Sequence, residues 1–290
     1  MSYKTVLAPM ITEKTVRVVA DAALAVAGAA KGHVIGRHIR QEQYIYPGAI
    51  DGAGAGLSLG DIQASLEASA VAMAKAQKGI FEEACDAAGA HQVPLKEAGR
   101  KSGLTAAWSE SRGIVPAGMA RAARVADLAV TALPDKRDHG VELDVIESLL
   151  MASGKPVLLV PRSGLKALPK RVLVGWDGSR AAARALEAAL PILHAATDVT
   201  LVTIKQTETG TPTLEDAESY LRLHGIEAAS RIVDQPKGGV AKTLLTEAET
   251  SESDLLVLGG YSHSRFEEKL FGGVTRHVLN HADRAVLMAH

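Results

Sequence analysis

From Gly259 to Leu279 the chain reads GGYSHSRFEEKLFGGVTRHVL. Two glycine pairs, Gly259-Gly260 and Gly272-Gly273, bracket a polar, charged loop, and residues of these types can cradle phosphate. Gly259 and Gly260 let a ligand approach the backbone closely, because no Cβ intervenes. Gly272, Gly273, Val274 and Thr275 place free N–H groups at a helix N-terminus. Those donors, with a helix dipole of about half a positive charge, favour an anion. Arg276 and His277 follow in the first turn, where a cation is unfavourable unless an anion is near.

Asp177, in GWDGS at 175–179, has two readings that stay open. It can accept from an adenine amine or a ribose hydroxyl. It can also cap the helix that begins near Ser179, although Ser179 suits that role itself. His263 and Arg265 are either exposed loop residues or phosphate contacts. Neither stands beside a nucleophile at a telling position, so no catalytic residue is expected. No His, Cys, Asp and Glu group has metal-ligand spacing, and any metal is expected to be magnesium carried by a nucleotide.

Other stretches carry less. The run YPGAIDGAGAGLSLGD at 46–61 is rich in glycine but lacks the spacing and lysine of a phosphate loop. It reads as a surface insertion, with Asp61 as N-cap of a helix over 62–88. HVIGRH at 33–38 lies in a strand and is only a loose echo of a nucleotidyl-transfer motif. The one cysteine, Cys85, can form neither an internal disulfide nor a thiolate cluster and reads as a small packing residue.

Composition narrows the class. The 290 residues suffice for one large domain or two ordinary ones. Apolar residues are 47% and aromatics 3%, so the core must be built of Ala, Val, Leu and Ile. Lys and Arg total 32 against 33 acidic residues, a net charge of -1, which offers no basic surplus for nucleic acid or an anionic membrane. No window approaches the ~18 apolar residues of a membrane span. The small apolar segment at 21–30 follows charged residues and lacks a signal-peptide layout. A soluble, cytoplasmic protein is expected.

The elements that must position the glycine loop occur twice. KTVLAPM (4–10) resembles KRVLVGW (170–176), DLAVTALP (127–134) resembles DLLVLGGY (254–261), and GKPVLLVP (154–161) resembles DRAVLMAH (283–290). Such fixed-order similarity marks a repeat. The runs are continuously apolar, as in strands buried on both faces of a parallel sheet. In the second half, strands are expected at 170–176, 198–205, 226–234, 254–261 and 283–290, with helices at 179–194, 213–225, 239–251 and 273–282. The first helix carries Ala182, Leu186, Ala189, Leu190 and Leu193 on one face. The first half has strands at 4–10, 33–40, 104–110, 127–133 and 156–161. This is α/β order with right-handed crossovers and helices on both faces. The linker PRSGLKALPK (161–170) separates domains at 1–163 and 170–290. In such a sheet, ligands lie beyond the C-terminal strand ends, where Gly175, Asp177, Ile204, Leu258 and the glycine loop converge.

The segment 254–290, the strand VLVGWDGS and the element order resemble the universal stress protein family, and the whole chain resembles a tandem member. The resemblance implies two doubly wound five-stranded parallel-sheet domains, adenine-nucleotide α-hydrolase-like, paired through their last strands as an intramolecular pseudo-dimer. It also implies a stress-response regulator without fast catalysis. Nucleotide-binding members carry G-x-x-G, nine residues, then G-(S/T). Here Gly259 takes the first position, Ser262 replaces the second glycine, Gly272 keeps the spacing and Gly273 replaces Ser or Thr. ATP would then be held by Gly175, Asp177, Ile204 and Leu258 around the adenine and by Gly259, Ser262 and Gly272 to Thr275 around the phosphates. A Ser needing positive φ costs roughly 1–2 kcal/mol, and a missing hydroxyl about 1 kcal/mol. Together these weaken affinity about ten- to hundredfold. The first half has no glycine loop, has Asp135 and Asp138 after its fourth strand, and is expected to bind no nucleotide. The alternative is a nucleotide-free stress protein acting through a protein partner or another small ligand. Neither nucleic acid nor membrane is an expected partner, and a homodimer or a monomeric pseudo-dimer is.

Overall fold

The computed structural model describes residues 2–41, 59–135, 140–165, 167–204, 212–234, 238–260 and 273–290. The first half runs β1 (Thr5–Pro9), α1 (Glu13–Ala29), β2 (His33–Gln41), α2 (Leu59–Ala87), β3 (His91–Gln92), β4 (Thr105–Gly113), α3 (Val115–Ala123), β5 (Leu128–Ala132), α4 (Val141–Ala152) and β6 (Val157–Val160). The second runs β7 (Arg171–Gly175), α5 (Arg180–Leu193), β8 (Asp198–Ile204), α6 (Leu214–Leu223), β9 (Ala229–Val233), α7 (Gly239–Thr250), β10 (Leu255–Gly259), α8 (Gly273–His281) and β11 (Ala285–Ala289). Each expected strand is present within a few residues. A two-residue strand, β3, is added on the outer edge of the first half, where it pairs with β4.

All described strands form one sheet in the order β3-β4-β2-β1-β5-β6-β11-β10-β7-β8-β9. Setting β3 aside, each half has its first and fourth strands adjacent at the centre and its fifth at the seam. Pairing is parallel except at the seam, where β6 and β11 run antiparallel with Val157 opposite Met288, Leu158 opposite Leu287 and Leu159 opposite Val286. These six residues have no exposed area. The join therefore covers two strand edges that would otherwise present unpaired backbone groups.

The repeat extends to its hydrogen bonds. Asp127 Oδ2 accepts from the amides of Lys4 and Thr5 at 2.8 Å. Asp254 Oδ2 accepts from the amides of Lys170 and Arg171 at 3.0 Å. Lys4 Nζ donates to the Ala30 carbonyl, as Lys170 Nζ does to Ala195.

Helices cover both faces of the sheet. One core joins Val16 and Leu24 of α1, Phe81 of α2 and Leu186 of α5. The other joins Met119 of α3, Ile146 of α4, Leu244 of α7 and Val278 of α8. Both cores run across the seam, and the Tyr3 hydroxyl reinforces it by donating to the Ala188 carbonyl at 2.5 Å.

Two details differ from expectation or resolve it. Helix α2 starts at Leu59, so Asp61 lies in its first turn rather than at the N-cap; a carboxylate there still complements the helix dipole. The glycine-rich run lies mostly outside the described residues. Cys85 is fully buried in α2, and burial, then the Asp86 and Glu82 charges, push its thiol up to about 12. A buried thiol with that pKa is inert.

Candidate functional site

The first and fourth strands of the second half, β7 and β10, are neighbours. Beyond their C-terminal ends the chain leaves toward helices on opposite faces, and ligands of open α/β sheets bind in such a crevice. After β7 come Trp176, Asp177, Gly178 and Ser179. Ser179 caps α5, its Oγ accepting from the Ala182 amide at 3.1 Å. Asp177 Oδ1 accepts from the Ser179 amide at 3.0 Å. Capping thus belongs to Ser179, while Asp177 tightens the turn ahead of it, helped by Gly178 at φ 72°. A carboxylate held this way is oriented before any ligand arrives.

Trp176 is a neighbour that the sequence reading missed. Its Nε1 lies 3.2 Å from both the Pro212 and Thr213 carbonyls, tying β7 to the start of α6. Thr203 Oγ1 donates to the Trp176 carbonyl at 2.9 Å. A Trp directly after a buried strand, with one polar atom to satisfy, is the signal that could have found it.

The glycines divide by role. A Cβ on Gly175 would stand 2.5 Å from Leu258 Cδ2 and 3.2 Å from Leu244 Cδ2. One on Gly259 would stand 2.6 Å from the Ala182 amide nitrogen and 2.8 Å from the Ala181 carbonyl carbon. At Gly259, then, the close approach expected of a ligand is made by the first turn of α5. Gly260 has ordinary room, and its amide donates to the Ala289 carbonyl at 2.8 Å. Gly273, the first residue of α8, has nothing within 4 Å of a built Cβ among the described residues.

Ile204 and Leu258 are 6% and 4% exposed, so they form the floor of this edge. Val274 is half-buried against the core of that face. Thr275 is 3% exposed and lies on the inward stripe of α8 with Val278 and Leu279. Its hydroxyl, expected to face a phosphate, is thus turned toward the protein because α8 must bury that stripe. Arg276 is near enough to Glu147 of α4 to act on its charge, across the seam. His277 stacks on His281 with ring centres 4.1 Å apart. Burial, then the His281 and Lys242 charges, lower its pKa, which relieves the conflict with the helix dipole. Ser262, His263, Arg265 and Gly272 lie outside the described residues. Gly175, Asp177, Ile204, Leu258, Gly259 and Gly273–Thr275 therefore share one sheet edge, and among the described residues nothing crowds Gly273 there.

The first half fills the matching corner itself. Thr12 stands at the N-cap of α1, but its hydroxyl does not cap the helix. It donates to Glu142 Oε1 at 2.6 Å, with Thr15 also in contact. Glu142 lies in the first turn of α4 and is 8% exposed. Its other oxygen pairs with Arg162, just beyond β6. A helix N-terminus that could attract an anion here receives a carboxylate from its own first turn. The histidines of HVIGRH are structural: His33 Nδ1 lies 2.8 Å from Thr105 Oγ1, and His38 Nδ1 lies 2.8 Å from Gln77 Oε1.

Among the described residues no group of three or more His, Cys, Asp or Glu could hold a metal ion. Likewise, no helix among them is long and apolar enough to cross a membrane. No curated protein matches the sequence. Among solved structures, a universal stress protein from Archaeoglobus fulgidus DSM 4304 matches over 100% of this chain and 99% of its own, with TM-score 0.70 and 15% identity. A functionally unknown protein from Pseudomonas aeruginosa PAO1 matches over 98% of this chain and 92% of its own, with TM-score 0.56 and 13% identity. At such identities the likeness is one of fold. The universal stress protein family itself is matched by sequence over residues 169–290. The second half is therefore similar in sequence to the universal stress protein family, and the whole chain shares the fold of a solved universal stress protein.

Proposed function

We propose that the second half binds an adenine nucleotide, ATP with its magnesium, and that the protein acts as a cytoplasmic stress-response regulator without fast catalysis. The observation that carries this reading is Gly273 at the start of α8, clear of every described residue and on the same edge as the pre-oriented Asp177 carboxylate. Phosphates would meet the α8 amides and the adenine would lie over Ile204 and Leu258. Among the described residues no side chain is placed as a base for water, so hydrolysis, if measured, would be slow.

Isothermal titration with ATP and magnesium tests this. Saturable heat at or below millimolar nucleotide is expected, with at least tenfold weaker binding for Gly272→Val. Absence of heat in the wild type would overturn it. One observation favours a second reading, a nucleotide-free regulator acting on a protein partner. The inward Thr275 and the glycine at 273 leave the phosphate corner short of hydroxyl donors. Affinity unchanged by Gly272→Val would support that reading.

A further inference from the structure

The first half has a second opening at its C-terminal sheet edge, away from the corner that Glu142 fills. It is a cavity of about 250 Å³ between the ends of β2 and β4 and helix α3, lined by Arg37, Ser111, Arg112, Gly113 and Arg121 among others. The register pairs Arg37 with Ser109 and Ile39 with Ser111, so these side chains share the face that α3 covers. Gly118 brings α3 down on that face: a Cβ there would lie 2.4 Å from Ile39 Cδ1. One turn further along α3, Arg121 reaches the same cavity.

Its charge is unbalanced. The Arg37 guanidinium is half-buried and donates only to two neutral hydroxyls, Ser109 Oγ and Ser111 Oγ, the latter at 2.8 Å. Its Nε is buried with no partner. Burial opposes its charge and lowers its pKa. No carboxylate lines the cavity among the described residues, and Arg121 is exposed and forms no ion pair among them. Arg112 is different: its guanidinium pairs with Glu67 of α2, on the opposite face. Glu67 and Glu110 likewise serve Arg40 on that face. Among the described residues, Glu67 and Glu110 are thus spent on the α2 side, and the α3 side keeps a half-buried guanidinium with no carboxylate partner. Charges left this way are costly unless paired.

We propose that this cavity binds a single oxyanion, a free phosphate or the phosphate group of a small metabolite. Arg37 and Arg121 would supply charge and Ser111 a hydroxyl. Guanidinium groups suit this task because their planar donors match phosphate oxygens two at a time. The volume argues for one group rather than a whole nucleotide, since ligand sites for larger molecules run about 300–1,000 Å³. The site is independent of the nucleotide reading above, which concerns the other half.

Titration with inorganic phosphate at low, constant ionic strength tests it, by calorimetry and by ³¹P line broadening. Saturable binding is expected in the wild type, weakened at least tenfold in Arg37→Gln and severalfold in Arg121→Gln. Arg121 is exposed, so its variant keeps the test alive if Arg37→Gln fails to fold. No saturable binding, or an affinity that neither substitution changes, would overturn the proposal. With binding established, a phosphorylated metabolite that competes with inorganic phosphate in the wild type and loses affinity in Arg37→Gln would identify the larger source.

Discussion

The two halves share strand order, helix placement and even the Asp127 and Asp254 anchors, yet their matching corners have opposite chemistry. In the first half, Thr12, Glu142 and Arg162 form a closed cluster at the N-terminus of α4. In the second half, Ser179 caps α5, Asp177 supports that cap, and α8 begins at Gly273, which no described residue crowds. A helix N-terminus attracts negative charge in either case. One half meets the demand with its own carboxylate, whereas in the other no carboxylate of the described residues is seen to do so.

The largest expected effect tests whether Glu142 holds the first corner. Glu142→Gln keeps the shape but leaves the Arg162 guanidinium without a counter-charge. Removing one partner of a fully buried pair costs about 3–5 kcal/mol. The Arg162 side chain is 31% exposed, so about 2–3 kcal/mol is expected here. Denaturant unfolding would measure it, and a loss below about 0.5 kcal/mol would show that the cluster is incidental.

A smaller effect separates the two fourth strands. Gly259 ends β10 where Ala132 ends β5. A Cβ at 259 meets backbone atoms of Ala181 and Ala182, which cannot swing aside. Gly259→Ala is expected to cost roughly 1–2 kcal/mol by overpacking. Ala132→Gly should cost about 1 kcal/mol or less, mostly from backbone freedom. Thermal melts of both variants would compare them. Equal tolerance at the two positions would mean that Gly259 is kept for a ligand after all, and that α5 has room to move.

Much of this was legible in the sequence because it is local. Buried parallel strands are unbroken apolar runs, so DLLVL and AVLMA read as strands without further context, and their recurrence in order exposed the tandem plan. The pairing of 156–161 with 285–290 followed from the resemblance, and β6 and β11 do meet. What escaped was long-range or too short. His91–Gln92 is polar and two residues long, so no periodicity can announce it. Glu142 reads as an ordinary helix-start acid, because its partner Thr12 is 130 residues away in the chain. The reason for glycine at 259 lies in α5, on another element. Arg37 showed nothing in sequence: only the register of β2 against β4 puts its carboxylate neighbours on the wrong face. At the candidate site, the glycine loop and Asp177 were readable as chemistry, whereas the inward turn of Thr275 depends on which stripe α8 buries.

The smallest effect probes what the halves share. Burial works to raise the Asp254 carboxyl, but the Arg171 and Lys170 amides, with the Arg171 and Arg284 charges, outweigh it and hold the group below its ordinary range. A carboxyl depressed in the folded state stabilises fully above its unfolded pKa and loses that contribution as pH falls through the folded value. Its side chain is 42% exposed, so solvent screening limits the gain to about 1 kcal/mol or less. Asp254→Asn keeps an acceptor for the two amides and removes the titration. The variant should therefore melt below the wild type at pH 7, and the gap should close as pH drops below the ordinary carboxylate range of about 4. A gap that stayed constant across that range would mean that Asp254 acts by shape alone. The charge on the aspartate that anchors the fourth strand to the first would then not be a shared source of stability for the repeat.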